Sequence, residues 1–289
     1  VTPARGKVLL GLIGAGIQRS LTPALHEAEG GQHGLRVHYQ LIDLDASGAT
    51  ASDLPLLIAA ARIMGFAGLN ITYPCKQAVL PLLDELAPDA QAMGAVNTVV
   101  NRNGRLVGHN TDGWGWRWGF RRALPDADLS RVVLLGAGGA GSAVAHSVLE
   151  LGAQRLAIVD VDPARSAQLA ESLARRHGAD RVRAVTDAAE ALADATGLIH
   201  ATPTGMDKMP GSPLAADLLR PELWVSEIVY FPIETALLKA ARARGCATVD
   251  GGTMAVGQAI GAFQLFTGIA PDAQRMDAHL RAMLAAGPA

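Results

Sequence analysis

The chain has 289 residues, 49% of them hydrophobic, a mean hydropathy of +0.21 and a formal net charge of −2. That length exceeds an ordinary single domain and predicts two, while the near-neutral charge, with no block of Lys or Arg, excludes a nucleic-acid partner. No apolar run approaches a membrane span or a secretory leader, and Cys75 and Cys246 have neither metal nor redox spacing, so no membrane, no metal and a reducing cytoplasm are expected.

Residues 7–14 read as a buried strand ending in a Gly-rich turn, and 23–30 as a helix with Pro23 in its first turn. A second strand is expected over 37–43, a helix over 54–64, and a third strand over 66–72 that runs into Pro74. Strand character over 95–107 is split by Asn103-Gly104, the strongest hairpin signal in the chain. From Arg131 onward a strand over 131–135, a helix over 139–151 and a strand over 155–160 form a βαβ unit. Its crossover is right-handed in a parallel sheet. Further strands are predicted at 181–185, 197–201, 223–229 and 247–249, and the pattern is helical from Met254 to the end. Alternating helices and strands, with no repeat and no low-complexity linker, predict an α/β fold.

Gly136-Ala137-Gly138-Gly139-Ala140-Gly141 follows a predicted strand and opens a helix. The first glycine permits a tight turn, the second lets backbone approach a pyrophosphate, and the third allows close helix packing. The helix N-terminus offers unpaired N–H groups and the positive end of its dipole to phosphates. The next strand ends at Asp160, where an acid is placed to bond a ribose 2′-hydroxyl and repel a 2′-phosphate. NAD is therefore expected over NADP. Asp160 could instead cap the turn before Pro163, and Arg165 could stack on adenine or rescue NADP binding. A doubly wound Rossmann-type domain is predicted over 113–253. An open α/β substrate domain takes 1–112, with 254–289 returning to it and the boundary in the Trp-rich stretch after Asp112.

Four earlier clusters place polar groups at the C-terminal ends of predicted strands, the edge at which open α/β sheets bind ligands. They are Ser20-Leu-Thr22-Pro23, Asn70-Ile-Thr72-Tyr-Pro74-Cys-Lys76, Gly94-Ala-Val-Asn97-Thr98 and Gly108-His-Asn110-Thr111-Asp112-Gly113. In this order, ahead of the Gly-rich turn, they resemble the shikimate dehydrogenase family. Later matches at Ala201-Thr-Pro203-Thr-Gly-Met206, Tyr230-Phe-Pro232-Ile-Glu-Thr235 and Gly252–Gln258 extend the likeness over nearly the whole chain. The resemblance implies a catalytic pair, Lys76 and Asp112. Ser20 and Thr22 would bind the substrate carboxylate, Thr72, Asn97 and Gln258 the ring hydroxyls, and Tyr230 would lie near the carboxylate. It also implies cofactor contacts from residues 136–140, Asp160, Arg165, Thr202, Pro203, Met206, Ile228, Gly251 and Met254. The chemistry agrees: hydride loss from a secondary alcohol builds negative charge on oxygen, which an ammonium stabilises. Burial of Lys76 would make it a better proton acceptor, and Asp112 would oppose that. Sequence assigns the proton to neither.

Three departures stand out. Thr22 replaces a frequent Ser, the run Asp160-Val-Asp162-Pro163 replaces the N-R-T of NADP users, and His200 stands where Asn is usual. The first two resemble the quinate/shikimate dehydrogenases that use NAD. A cytoplasmic, NAD-dependent enzyme acting on quinate and shikimate, monomeric or homodimeric, is expected. The rivals are a strictly NADP-dependent shikimate dehydrogenase, a methylenetetrahydrofolate dehydrogenase-like enzyme and a non-catalytic NAD-binding module. His26 and His109 are read as structural, Cys75 as pointing away from Lys76 in an extended segment, and Trp114, Trp116 and Trp118 as packing a hinge.

Overall fold

The computed structural model describes residues 6–286, and the chain divides into one unit of Val1–Thr111 with Gln258–Ala289 and a second of Asp112–Gly257. In the first, β1 (Lys7–Gly14), α1 (Thr22–Gln32), β2 (Arg36–Asp43), α2 (Leu44–Ser47), α3 (Leu54–Ile63) and β3 (Gly68–Ile71) come first. There follow α4 (Cys75–Ala78), β4 (Glu85–Leu86), α5 (Pro88–Met93), β5 (Thr98–Arg102) and β6 (Arg105–His109). The sheet order is β2-β1-β3-β5-β6-β4. β1 pairs in parallel with both β2 and β3, and β5 runs antiparallel to its neighbours.

Alternation along β1 sends Leu10 and Leu12 to one face, with Tyr39 and Val100, and Ile13 to the other, with Leu54, Ile58 and Ile71. Asn103 (φ 54°) and Gly104 (φ 88°) make the two-residue turn between Arg102 and Arg105. Both central residues take positive φ there, the turn whose twist matches paired strands.

In the second unit, α6 (Thr111–Ala123) leads into β7 (Arg131–Leu135), α7 (Gly139–Glu150), β8 (Arg155–Val159), α8 (Pro163–His177), β9 (Val182–Ala184) and α9 (Ala188–Leu192). Then come β10 (Gly197–His200), β11 (Trp224–Glu227), α10 (Ala236–Ala243) and β12 (Thr248–Val249). The all-parallel order β12-β11-β10-β7-β8-β9 is the doubly wound arrangement. Both faces are covered. Val132, Leu134 and Leu156 meet α7 and α8, while Val133, Leu198 and Val225 meet α9 and α10.

The chain crosses between units within α6 and again within α11 (Gly251–Thr267), which is followed by α12 (Ala273–Ala286). The helical C-terminus thus starts before Met254 and is two helices, parted where Gly268 takes the left-handed φ of 71° that ends α11. In the first unit α12 is fastened to α1 by Glu29, a residue 2% exposed. Its carboxylate accepts Arg275 Nε at 2.8 Å, Arg275 Nη2 at 2.6 Å and the Asp272 N–H at 2.9 Å.

The tryptophans correct an expectation. α6 converts their alternation into i,i+4 pairs, Trp114 on Trp118 and Trp116 on Phe120. Trp116 is no hinge residue: it lies in the core of the second unit, its indole N–H donating to Ser226 Oγ at 3.0 Å. Among the described residues no helix is long and apolar enough to cross a membrane. None of them form a group of three or more His, Cys, Asp or Glu placed to hold a metal ion.

Candidate active site

In the first unit the strand order reverses between β1 and β3, so the carboxyl ends of these strands border the crevice where such sheets take ligands. Tight packing forms this edge. The Thr72 N–H donates to Ile13 O at 2.9 Å and the Ala15 N–H to Tyr73 O at 2.9 Å. A Cβ on Gly14 would lie 2.3 Å from Thr72 Cγ2, so only glycine lets the two strand ends close.

Asp43, at the end of β2, organises the loop after β1. Its carboxylate accepts the N–H groups of Gly16 and Ile17 and the Gln18 amide, each at 3.0 Å. Burial pushes its carboxyl up, but these bonds together hold it below the usual aspartate range. The loop delivers Ser20, whose hydroxyl donates to Thr22 Oγ1 at 3.1 Å and accepts the Thr22 N–H at 3.3 Å. α1 takes Leu21 as N-cap, with no side-chain cap bond. The two hydroxyls pair with each other, and Ser20 Oγ also accepts one N–H of the helix's first turn. They converge at a helix N-terminus, where donors and dipole suit an anion.

Lys76 is half-buried on α4. That short helix corrects the extended reading of its neighbour. Adjacent helical residues diverge by about 100°, and Cys75 is fully buried in the core, where burial raises its thiol pKa. Asn97 is 3% exposed, and its Oδ1 accepts the Thr111 N–H at 2.7 Å while its Nδ2 donates to Thr111 Oγ1 at 3.0 Å. Asn70 extends this network, accepting from Tyr39 Oη at 2.7 Å and donating to Thr98 Oγ1 at 3.1 Å. Asn97 thus anchors the first residue of α6. Asp112 follows in that first turn, 7% exposed, inside the helix rather than capping it. Gln258 is half-buried on α11, not the exposed helix residue that the alternative reading required.

The second unit reverses its strand order between β7 and β10, and the Gly-rich turn leaves β7 at that point. Gly136 takes φ 101°, and a Cβ there would lie 2.7 Å from Ala201 O. A Cβ on Gly141 would lie 2.0 Å from Gly136 O, so the third glycine seats α7 on the turn. Gly138 differs. Its φ of −77° suits any residue, and a Cβ there would meet nothing within 4 Å. The fold has no use for glycine at this position, whereas a phosphate approaching the uncapped α7 N-terminus does. The residues present therefore fit a dinucleotide.

Asp160 follows β8, and its Oδ2 accepts the Ala137 N–H at 2.6 Å while Oδ1 accepts the Asp162 N–H at 2.9 Å. It repeats what Asp43 does at the end of β2. Each carboxylate oxygen keeps acceptor capacity beyond these bonds. Asp162, not Asp160, caps α8 through the Ala164 N–H at 3.0 Å. Arg165 is exposed and pairs with Asp162 at 3.5 Å. Thr202 and Pro203 lie just past β10, and Met206 is 41% exposed in the same loop. Ile228 follows β11, and its carbonyl would lie 2.5 Å from a Cβ on Gly251. Met254, 7% exposed, belongs to the apolar core of this unit. Tyr230 is 39% exposed; burial around its hydroxyl, then the Asp112 carboxylate, raise its pKa. A cavity of about 580 Å³ opens at the opposite, N-terminal edge of this sheet beside Arg131, Arg155 and Arg183, and none of the predicted site residues lines it.

Sequence reasoning missed Asp43. Its signal, an acid ending a strand beside a Gly-rich turn, is the one that singled out Asp160.

The shikimate dehydrogenase substrate-binding-domain model matches residues 12–99. The NADP-dependent shikimate dehydrogenase of Streptomyces avermitilis is 58% identical over 274 residues, 94% of either chain. The NAD-dependent quinate/shikimate dehydrogenase of Corynebacterium efficiens is 49% identical over 274 residues, 94% of this chain and 96% of its own. Among solved structures, quinate dehydrogenase from Corynebacterium glutamicum in complex with NAD superposes with a TM-score of 0.91 at 46% identity, covering 96% of this chain and 100% of that one. Motifs, fold and relatives agree over nearly the full length, and the chain belongs to the shikimate dehydrogenase family of oxidoreductases, which act on a CH–OH group.

Proposed function

We propose that this protein is a cytoplasmic enzyme that oxidises the ring C3 hydroxyl of quinate and shikimate, giving 3-dehydroquinate and 3-dehydroshikimate, with NAD as its cofactor. The observation that carries the cofactor choice is the Asp160 carboxylate, tied to the Gly-rich turn by the Ala137 N–H. A fixed anion at this strand end accepts from a ribose 2′-hydroxyl and repels a 2′-phosphate. The NAD-dependent activity of the Corynebacterium efficiens relative and the NAD complex of the Corynebacterium glutamicum enzyme support the same choice.

Residues 136–140 and the α7 N-terminus would hold the pyrophosphate, with Thr202, Pro203, Met206, Ile228 and Gly251 around the rest of the cofactor. When bound, the oxidised nicotinamide supplies the hydride acceptor. Ser20 and Thr22 take the substrate carboxylate through their paired hydroxyls, with Tyr230 beside it, while Thr72, Asn97 and Gln258 bond ring hydroxyls. Lys76 donates to the reacting oxygen and stabilises the negative charge that grows there. Asp112 accepts from the substrate hydroxyls and orients the ammonium, and the hydroxyl proton leaves to this pair.

Initial rates with both acids under both cofactors test the proposal. NAD reduction with quinate and with shikimate, and little NADP reduction, is the expected result. Asp160→Asn keeps an acceptor for the Ala137 N–H but removes the charge. It should raise the KM for NAD by about tenfold, the scale of one charged hydrogen bond. A wild type preferring NADP overturns the cofactor assignment, and inactivity with both acids under either cofactor overturns the function.

A further inference from the structure

In the interior of the second unit a buried acid finds all its partners at the sheet edge assigned above to the cofactor. Glu227 is 1% exposed and His200 is fully buried. They are register partners at the carboxyl ends of β11 and β10, so their side chains share a face. His200 Nδ1 lies 2.8 Å from Glu227 Oε1. That oxygen also accepts the N–H groups of Ile228 at 2.8 Å and Val229 at 2.9 Å, while Oε2 accepts the Thr235 hydroxyl at 2.9 Å. An acceptor so placed is an ionised carboxylate, and Nδ1 of the ring is then the donor to it.

The other ring nitrogen reaches outward. His200 Nε2 lies 2.5 Å from Thr202 Oγ1, which also accepts the Thr204 N–H at 3.3 Å. The Thr202 methyl packs over the Gly-rich turn, with Cγ2 3.0 Å from where a Cβ on Gly136 would sit. On the far side, the carbonyls of Ile228 and Val229 lie 2.5 and 2.4 Å from where a Cβ on Gly251 would sit. One buried carboxylate therefore ties together the turn after β7, the loop after β10 and the segment after β11.

Burying a carboxylate and an imidazole away from water is expensive, and such a polar pair often contributes nothing to stability over an apolar replacement. What this pair does supply is direction. A threonine hydroxyl at a loop otherwise rotates freely, and the imidazole holds this one in a single orientation. Building on the cofactor placement above, we propose that His200 and Glu227 are positioning residues for the nicotinamide cofactor. They act through Thr202, whose hydroxyl they orient as a cofactor contact.

Titration with NADH, followed by its fluorescence, and thermal unfolding of the same samples test this. Thr202→Val preserves shape and removes the hydroxyl; it should raise the Kd for NADH about tenfold, with a lowered Tm because the buried His200 Nε2 loses its partner. Thr202→Ser should restore binding. His200→Asn places its amide nitrogen where Nδ1 lay, keeping the bond to Glu227 but no longer reaching Thr202. It should weaken NADH binding as much as Thr202→Val does, and the double variant should be no weaker than either single one. Effects that multiply in the double variant, or wild-type affinity in Thr202→Val, overturn the proposal. Should His200→Asn fail to fold, the Val and Ser variants at position 202 decide alone. A wild type that binds neither NADH nor NADPH would instead remove the cofactor placement itself.

Discussion

Single residues carry the chemistry, and their surroundings distinguish their tasks. Lys76 is half-buried on one short helical turn, and Asn97 is buried and bonded to Thr98 and Thr111, so its amide supports the start of α6. Removing the ammonium should damage the reaction proposed for it. Lys76→Ala is expected to lower kcat by about 10² or more, while NADH binding and the unfolding midpoint stay near wild type. Wild-type turnover in this variant would end the assignment of Lys76.

At the scale of elements, each unit uses the same construction: a parallel strand, a Gly-rich turn, and an acid at the end of the neighbouring strand that ties the turn down. Asp43 does this for the loop after β1 and Asp160 for the loop after β7. The glycines of the second turn separate folding from binding. Gly141→Ala would press a methyl onto Gly136 O, so α7 must shift and Tm should fall by several degrees, on the scale of about 1–3 kcal/mol of overpacking. Gly138→Ala meets open space at an ordinary φ, so Tm should hold while the Kd for NADH rises about tenfold or more. Equal affinity in Gly138→Ala and wild type would show that no phosphate approaches there. The alternation of apolar residues, the Asn-Gly turn and the Gly-rich motif made most strands legible in sequence, because each is a signal between near neighbours. The helical turn at Cys75 and the two-helix C-terminus were not legible, since a proline-led turn and a glycine stop carry little periodicity.

For the whole molecule, buried histidines set the response to acid. His26, fully buried between Tyr39, Phe263 and Phe266, has no hydrogen-bond partner for either ring nitrogen among the described residues. Burial lowers its pKa from 6.5 to about 3. The unfolded chain takes up this proton near pH 6.5, and the folded chain only near pH 3. Stability present above pH 6.5 is thus lost as pH falls through that window, at up to about 1.4 kcal/mol per pH unit from this ring alone. His109, His146 and His177 shift the same way, chiefly through burial. Glu29 adds a loss below its unfolded value of 4.5, because the Arg275, Asp272 and His33 bonds outweigh the burial that pushes it up. Urea midpoints should fall steadily from pH 7 to 5 in the wild type and more gently in His26→Phe, which also drops two unpaired nitrogens. A wild-type midpoint constant over that range would contradict the account.

The amino-acid sequence by itself determined the α/β class, the Gly-rich turn, the hairpin and the polar clusters at strand ends, since all of these lie within a few residues of one another. Which of those polar groups have partners was decided only by tertiary structure. Gly16 meets Asp43, His200 meets Glu227, and Glu29 meets Arg275 because strand order and helix return bring distant segments together. A buried acid or imidazole is stable only where that geometry satisfies it, and no local pattern encodes the partner.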